Sequence, residues 1–238
     1  MHKIYQEILA AKENSQKLLA ILLDPDDIKL EILDVLISKI NQSPATHIFV
    51  GGSIVETNKI GEIIQKIKQN CSLPILLFPG NPSQISKDAD GILFLNLISG
   101  RNPEYLIEHQ VNAVPIIEKT ILEVISTGYI LVENGKQSAV ERVSQTKPLD
   151  RNDIEYVCQT AKAGEYMGNK LIYLEAGSGA EKPIPLEMIK SVSNKINIPL
   201  IVGGGIRTKT RIENAFKAGA DLVVIGTAFE NNPNFFEE

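Results

Sequence analysis

The sequence predicts an α/β fold, a (β/α)8-type barrel made by a single domain over residues 1–238. Three observations carry this reading. Short apolar runs alternate with longer amphipathic ones along the chain. The short runs are apolar at nearly every position, as strands of a parallel sheet covered on both faces must be. About eight such runs fit into 238 residues, which favours closure into a barrel over an open sheet.

The elements follow in order. Leu18 to Leu23 (LLAILL) reads as the first strand. Lys29 to Ile40 reads as a helix with Leu30, Leu33, Leu36 and Ile37 on one face. His47 to Val50 (HIFV) is the second strand and ends at Gly51-Gly52. Lys59 to Lys68 carries Ile60, Ile63, Ile64 and Ile67 on one helical stripe. Pro74 to Phe78 and Gly91 to Ile98 are the third and fourth strands. Asn112 to Ile117 and Tyr129 to Glu133 both have strand composition, with Lys119 to Ser126 undetermined between them. A helix is expected within Pro148 to Gly168, starting near Leu149 with Asp150 as its cap. Lys170 to Glu175, Pro199 to Val202 and Asp221 to Ile225 are strands. Leu186 to Lys195 and Lys209 to Ala218 are helices, and a short tail follows.

Composition narrows the function classes. Hydrophobic residues make up 43% and charged residues 22%, which is ordinary for a globular domain. The net charge of −5 argues against nucleic acid as the main partner, because backbone binding needs a basic face. A small phosphorylated ligand needs only a few local donors. Cys71 and Cys158 lack metal-ligand spacing, which fits a reducing cytoplasm. No apolar run approaches the ~18–20 residues of a membrane span, so a soluble protein is expected.

The chemistry-bearing residues cluster at expected strand ends. Tyr173-Leu174-Glu175-Ala176-Gly177-Ser178-Gly179, Gly203-Gly204-Gly205-Ile206-Arg207-Thr208 and Ile225-Gly226-Thr227-Ala228 each follow one of the last three strands. In this fold the strand C-termini form the active-site mouth, and the last loops often hold phosphate. Glycine lets backbone N–H groups approach an anion closely. Arg207 and the hydroxyls of Ser178 and Thr227 are candidates to complete the cradle. The dinucleotide spacing GxGxxG is absent.

The first strand ends in Leu23-Asp24-Pro25-Asp26-Asp27. A carboxylate opposite a phosphate grip suits Mg²⁺, which takes one or two carboxylates plus phosphate oxygens and water. Asp24 is the candidate ligand, and Ser53 on the neighbouring loop offers a hydroxyl. Asp26 and Asp27 are expected to cap the following helix. Glu175, among apolar neighbours, is the candidate general base, since burial raises a carboxyl pKa. Tyr173 lies on the same side of that strand. His47 and His109 are expected to be structural or exposed.

The stretches LLDPD, FVGGS, TGYILVENG, YLEAGSGA, GGGIRT and VIGTA together resemble the geranylgeranylglyceryl phosphate synthase family, which includes bacterial heptaprenylglyceryl phosphate synthases. They span Leu22 to Ala228, nearly the whole chain. The resemblance implies a modified TIM (β/α)8 barrel and an Mg²⁺-dependent prenyltransferase of ether-lipid biosynthesis. sn-Glycerol 1-phosphate would attack C1 of a polyprenyl diphosphate, geranylgeranyl diphosphate first among them, through its 3-hydroxyl. By motif, Asp24 and Ser53 would hold Mg²⁺ and diphosphate. Tyr173, Leu174, Glu175, Ala176, Gly177, Ser178, Gly179, Gly204, Gly205, Gly226 and Thr227 would grip glycerol phosphate, with Glu175 taking the proton. Many members carry a lysine beside the aspartate motif; here Leu22 precedes it, Asp27 follows and Lys29 is the nearest cation. Phe78, Phe94, Leu95 and Leu97 are candidates for the tail trough. A cytoplasmic homo-oligomer, dimer or hexamer, with transient membrane contact is expected. Two other readings stand beside this one: a phosphate-binding isomerase or lyase, and a non-enzymatic phosphate-metabolite sensor.

Overall fold

A computed structural model of the chain describes residues 4–28, 30–53, 55 and 59–237. Its eight strands are β1 (Leu18–Leu23), β2 (His47–Val50), β3 (Ile75–Leu77), β4 (Gly91–Leu97), β5 (Glu123–Leu131), β6 (Leu171–Glu175), β7 (Leu200–Gly203) and β8 (Leu222–Ile225). They close a parallel barrel in sequence order, and β1 pairs with β8 from Leu18↔Leu222 to Ile21↔Ile225. The helices are α1 (Ile4–Glu13), α2 (Leu33–Gln42), α3 (Ile60–Asn70), α4 (His109–Ile117), α5 (Ala139–Ser144), α6 (Ile154–Tyr166), α7 (Leu186–Lys195), α8 (Lys209–Ala218) and α9 (Thr227–Asn231).

Strand alternation sorts the apolar residues into two cores. Along β1, Leu18 and Ala20 point into the barrel, where they meet Phe49, Leu93, Tyr129, Tyr173 and Val224. Leu19, Ile21 and Leu23 point outward to the helix layer. Ile4, Ile8 and Ala11 of α1 join the inner core and close the barrel bottom. The open start of α1 is held by Glu123, which accepts N–H bonds from Ile4 and Tyr5 at 2.6 and 3.0 Å.

One crossover departs from the regular pattern. Between β3 and β4 the chain makes only a 3₁₀ turn, Pro82–Gln84, where every other crossover carries an α-helix. That sector of the barrel lacks its outer helical wall.

Three expectations are corrected. Asn112 to Ile117 is not a strand but part of α4, which continues a π-helical stretch, Glu104–Glu108. Parallel neighbours need a long crossover, usually helical, to return the chain to the barrel bottom, and Glu123–Leu131 takes the strand position instead. The next long helix starts at Ile154, not near Leu149. Asp153 caps it by accepting the Tyr156 N–H at 3.0 Å. Leu149 instead extends the parallel pairing beside Val132, and Asp150 closes the turn between them with the Asn152 N–H. Finally, Asp26 and Asp27 do not cap α2, which begins at Leu33 after Ile32 with no side-chain cap. They lie in a turn closed by the Asp27 N–H donating to the Asp24 carbonyl at 3.1 Å.

Among the described residues no helix is long and apolar enough to cross a membrane. Cys71 and Cys158 are both buried free thiols. Because α1 plugs the barrel, Ile8→Ala is expected to destabilise the protein by about 3 kcal/mol, read as a lower urea midpoint at unchanged slope.

Candidate active site

The alternation that buries Leu171 and Tyr173 inside the barrel places Glu175 next on that face, at the mouth. Glu175 is only 6% exposed. Its Oε1 accepts the Gly177 N–H at 2.6 Å. Burial nevertheless pushes its pKa up to about 7, an effect tempered by the Tyr173 hydroxyl and that N–H. The Tyr173 hydroxyl is close enough to temper the rise yet makes no well-directed hydrogen bond with any described residue. Below lies an aromatic floor. Phe78 stacks on Tyr173 at 5.3 Å between centroids, and Tyr129 lies 5.4 Å from Tyr173.

Room for the carboxylate comes from the end of β7. A Cβ on Gly203 would lie 2.6 Å from Glu175 Oε2, and one on Gly204 would collide with Oε1. Gly204 also has a φ of +82°, a conformation side chains with a Cβ rarely adopt. The glycines here are required by the shape of the site.

An open cavity of about 280 Å³ occupies the mouth. Tyr173, Glu175, Ser178, Gly179, Gly204, Gly205, Gly226 and Thr227 line one side of it. Ser178 and Thr227 bring their hydroxyl oxygens to 3.4 Å, joining the β6 and β8 loops. Leu174 and Ala176 do not face the cavity; both pack in the outer core. Gly177 acts through its N–H on Glu175. Arg207 lines the mouth, but its Nη2 donates to the Gly179 and Ala180 carbonyls at 3.0 Å each, so it braces the β6 loop.

Asp24, Asp27 and Ser53 line the adjoining part of the mouth, at the ends of β1 and β2. The Asp24 carboxylate lies against Gly52, where a Cβ would come within 2.5 Å of Oδ2. Its Oδ1 accepts the Asp26 N–H at 3.1 Å. Burial, reinforced by Asp27 and Asp26, raises the Asp24 pKa to about 6. Glu230 on α9 was not legible as a site residue, because the chain after Ala228 reads as a tail. It lines the mouth, accepts the Asp24 N–H at 2.9 Å, and is pushed by burial up to about 7. Lys29, the nearest cation in sequence, lies outside the described residues.

A second cavity, about 100 Å³ and largely apolar, leaves the mouth sideways between β3 and β4. Phe78, Phe94, Leu95 and Leu97 all line it, together with Pro82 and Ile85 from the turn that replaces a helix. His109 lines it too, edge-on to Tyr105 at 4.7 Å. His47 sits at the first position of β2, away from the mouth, and burial lowers its pKa to about 4.

The sequence profile of the PcrB family matches residues 12–238. The chain belongs to the PcrB family. Relatives agree along the full length. The geranylgeranylglyceryl phosphate synthase of Flavobacterium johnsoniae is 64% identical, covering 98% of this chain and 96% of that one. Its namesake from Pyrococcus abyssi is 39% identical, covering 99% and 93%. Among solved structures, (S)-3-O-geranylgeranylglyceryl phosphate synthase from Thermoplasma acidophilum, in complex with its substrate sn-glycerol-1-phosphate, matches with a TM-score of 0.93. It is 31% identical and the match covers 100% of this chain and 95% of that one. A tryptophan synthase α-subunit from Pyrococcus furiosus, 15% identical with a TM-score of 0.57, shares the fold alone.

The raised Glu175 pKa has a stability consequence for this PcrB-family barrel. Between the ordinary value of 4.5 and about 7 the folded state binds the proton more tightly than the unfolded state. The contribution of this group to stability therefore falls as pH rises through that window and stays lower above it. Glu175→Gln removes this dependence. The urea midpoint of the variant, relative to wild type, is expected to increase from about pH 5 to about pH 8; a constant difference would contradict it.

Proposed function

We propose that this protein joins the 3-hydroxyl of sn-glycerol 1-phosphate to C1 of geranylgeranyl diphosphate, forming an ether-lipid precursor and releasing diphosphate. One observation carries the reading: a buried carboxylate lines a glycine-edged mouth that shares a border with an apolar side channel. The family membership and the names of the full-length relatives support it. The Thermoplasma acidophilum relative binds sn-glycerol-1-phosphate, the proposed acceptor. An isomerase or lyase of small phosphates would leave the apolar channel without a use.

In this reading the loops after β6, β7 and β8 hold the acceptor phosphate. The channel holds the prenyl tail and excludes water from C1. Glu175 takes the proton of the 3-hydroxyl as the oxygen forms its bond to C1; the C1–O bond to diphosphate breaks, and its electron pair leaves with diphosphate. A pKa near 7 leaves Glu175 basic enough to accept that proton and largely ionised at slightly alkaline pH.

Mg²⁺ is proposed as the cofactor, with Asp24 and Ser53 holding it. Asp24, Asp27 and Glu230 concentrate negative charge on one side of the mouth. Among the described residues no three His, Cys, Asp or Glu side chains are gathered so that they could hold a metal ion by themselves. Mg²⁺ needs only one or two carboxylates when substrate phosphates and water complete its shell, so this donor set fits it. Bound there, Mg²⁺ would neutralise the charge developing on the departing diphosphate.

Incubation with labelled sn-glycerol 1-phosphate and geranylgeranyl diphosphate is expected to give a lipid-extractable product that EDTA abolishes. Absence of product with every prenyl length would overturn the proposal. Glu175→Gln is expected to lower kcat about 10³-fold while still binding glycerol phosphate, which also separates an enzyme from a sensor. For the wild type, kcat/KM, corrected for substrate ionisation, should fall below about pH 7 as Glu175 takes up its proton.

A further inference from the structure

The mouth has a charge problem. Asp24, Asp27, Glu175 and Glu230 line it, and the reaction brings in two phosphorylated substrates. Among the described residues only two cationic side chains, Arg142 and Arg207, line the same cavity. Arg207 donates to two backbone carbonyls of the β6 loop. The Arg142 guanidinium makes no hydrogen bond or ion pair with any described residue, and the side chain is exposed.

The location of a diphosphate follows from the two cavities. They share Gly52, Ser53, Phe78, Tyr129 and Val140, so a head group joined to a tail in the channel emerges at that border. The one-turn helix α5 lies over it. Val140 and Val143 face the channel, while Val140 and Arg142 border the mouth. The turn is fastened at both ends. Ser138 Oγ accepts the Glu141 N–H at 3.1 Å. At the other end the Tyr105 hydroxyl donates to the Val143 carbonyl at 3.1 Å, and Asn102 Nδ2 donates to the Ser144 carbonyl at 2.9 Å. Arg142 is therefore carried on a fixed support beside the border, with its donors uncommitted.

We infer that Arg142 is the cation of this chain that binds the diphosphate end of the prenyl substrate and the diphosphate released from it. The inference rests on the function proposed above and deepens it. A guanidinium can give two parallel N–H bonds to phosphate oxygens, stays charged at all working pH values, and stabilises a leaving group whose charge grows as the C1–O bond breaks.

The test uses the full chain, with inorganic diphosphate as probe. Calorimetric titration of diphosphate in the presence of Mg²⁺ is expected to show about tenfold or greater weakening in Arg142→Gln. Arg142→Lys should lie between, since it keeps the charge but not the paired donors. Binding of sn-glycerol 1-phosphate should stay within about twofold of wild type in both variants. In steady-state assays the KM for geranylgeranyl diphosphate should rise and that for glycerol phosphate should not. Should Arg142→Gln fail to fold, an intermediate diphosphate affinity in Arg142→Lys carries the same reading. Unchanged diphosphate affinity in the folded variants, or a loss that falls on glycerol phosphate instead, overturns the inference. A wild-type protein that binds diphosphate but makes no prenyl ether would sink the proposed function separately, leaving the Arg142 comparison to be judged on binding.

Discussion

Everything at the mouth is arranged around one carboxylate kept from water. Its dryness is what lifts the Glu175 pKa to about 7, and a dry carboxylate is expensive unless something meets it. A single N–H bond from Gly177 and the nearby Tyr173 hydroxyl offset part of that cost. The incomplete offset is the useful outcome, because full satisfaction would return the group to an ordinary, weakly basic acid. The same carboxylate dictates its neighbours. β7 must end without side chains at Gly203 and Gly204, since either Cβ would occupy the carboxylate's space. Those glycines in turn leave bare backbone at the rim, which is what an anion needs.

The seam where the barrel closes carries a second linkage. β1 and β8 are neighbours only because the sheet wraps round. Across that seam Glu230, one turn beyond Gly226-Thr227, accepts the N–H of Asp24. The acidic and glycine-lined halves of the mouth are thus tied by one hydrogen bond, and the distance between them is set by barrel closure. Opposite the seam, the aromatic floor of Phe78, Tyr129 and Tyr173 separates the mouth from the packed interior.

The outer strands of this barrel were readable because each is a continuous apolar run with glycine or proline at its end, as in LLAILL and PILLF. The middle was not. Asn112 to Ile117 is as apolar as a strand, yet Val111, Val114 and Ile116 are exposed on a helix, so composition there does not report burial. Its place was fixed by connectivity, which no local window contains. Glu175, Asp24 and the strand-end glycines were legible as mouth residues because their position relative to a strand defines where they lie. Glu230 and Arg142 were not, since one lies in an apparent tail and the other on a six-residue helix, and only the closed barrel brings them to the mouth.

The missing helix between β3 and β4 separates two demands that a fully walled barrel would set against each other. A long hydrocarbon needs room, whereas the reacting atoms need rigidity. Because the opening is lateral, the apolar channel leaves through the side of the barrel and not along its axis, where Phe49, Leu93 and Tyr173 remain close-packed. Its walls include Pro82 and Ile85 of the turn, Phe78 and Phe94 from the barrel, and His109 and Ala113 of α4. In the proposed reaction, tails of different length are accommodated along that lateral wall, while Glu175 stays at the end of β6.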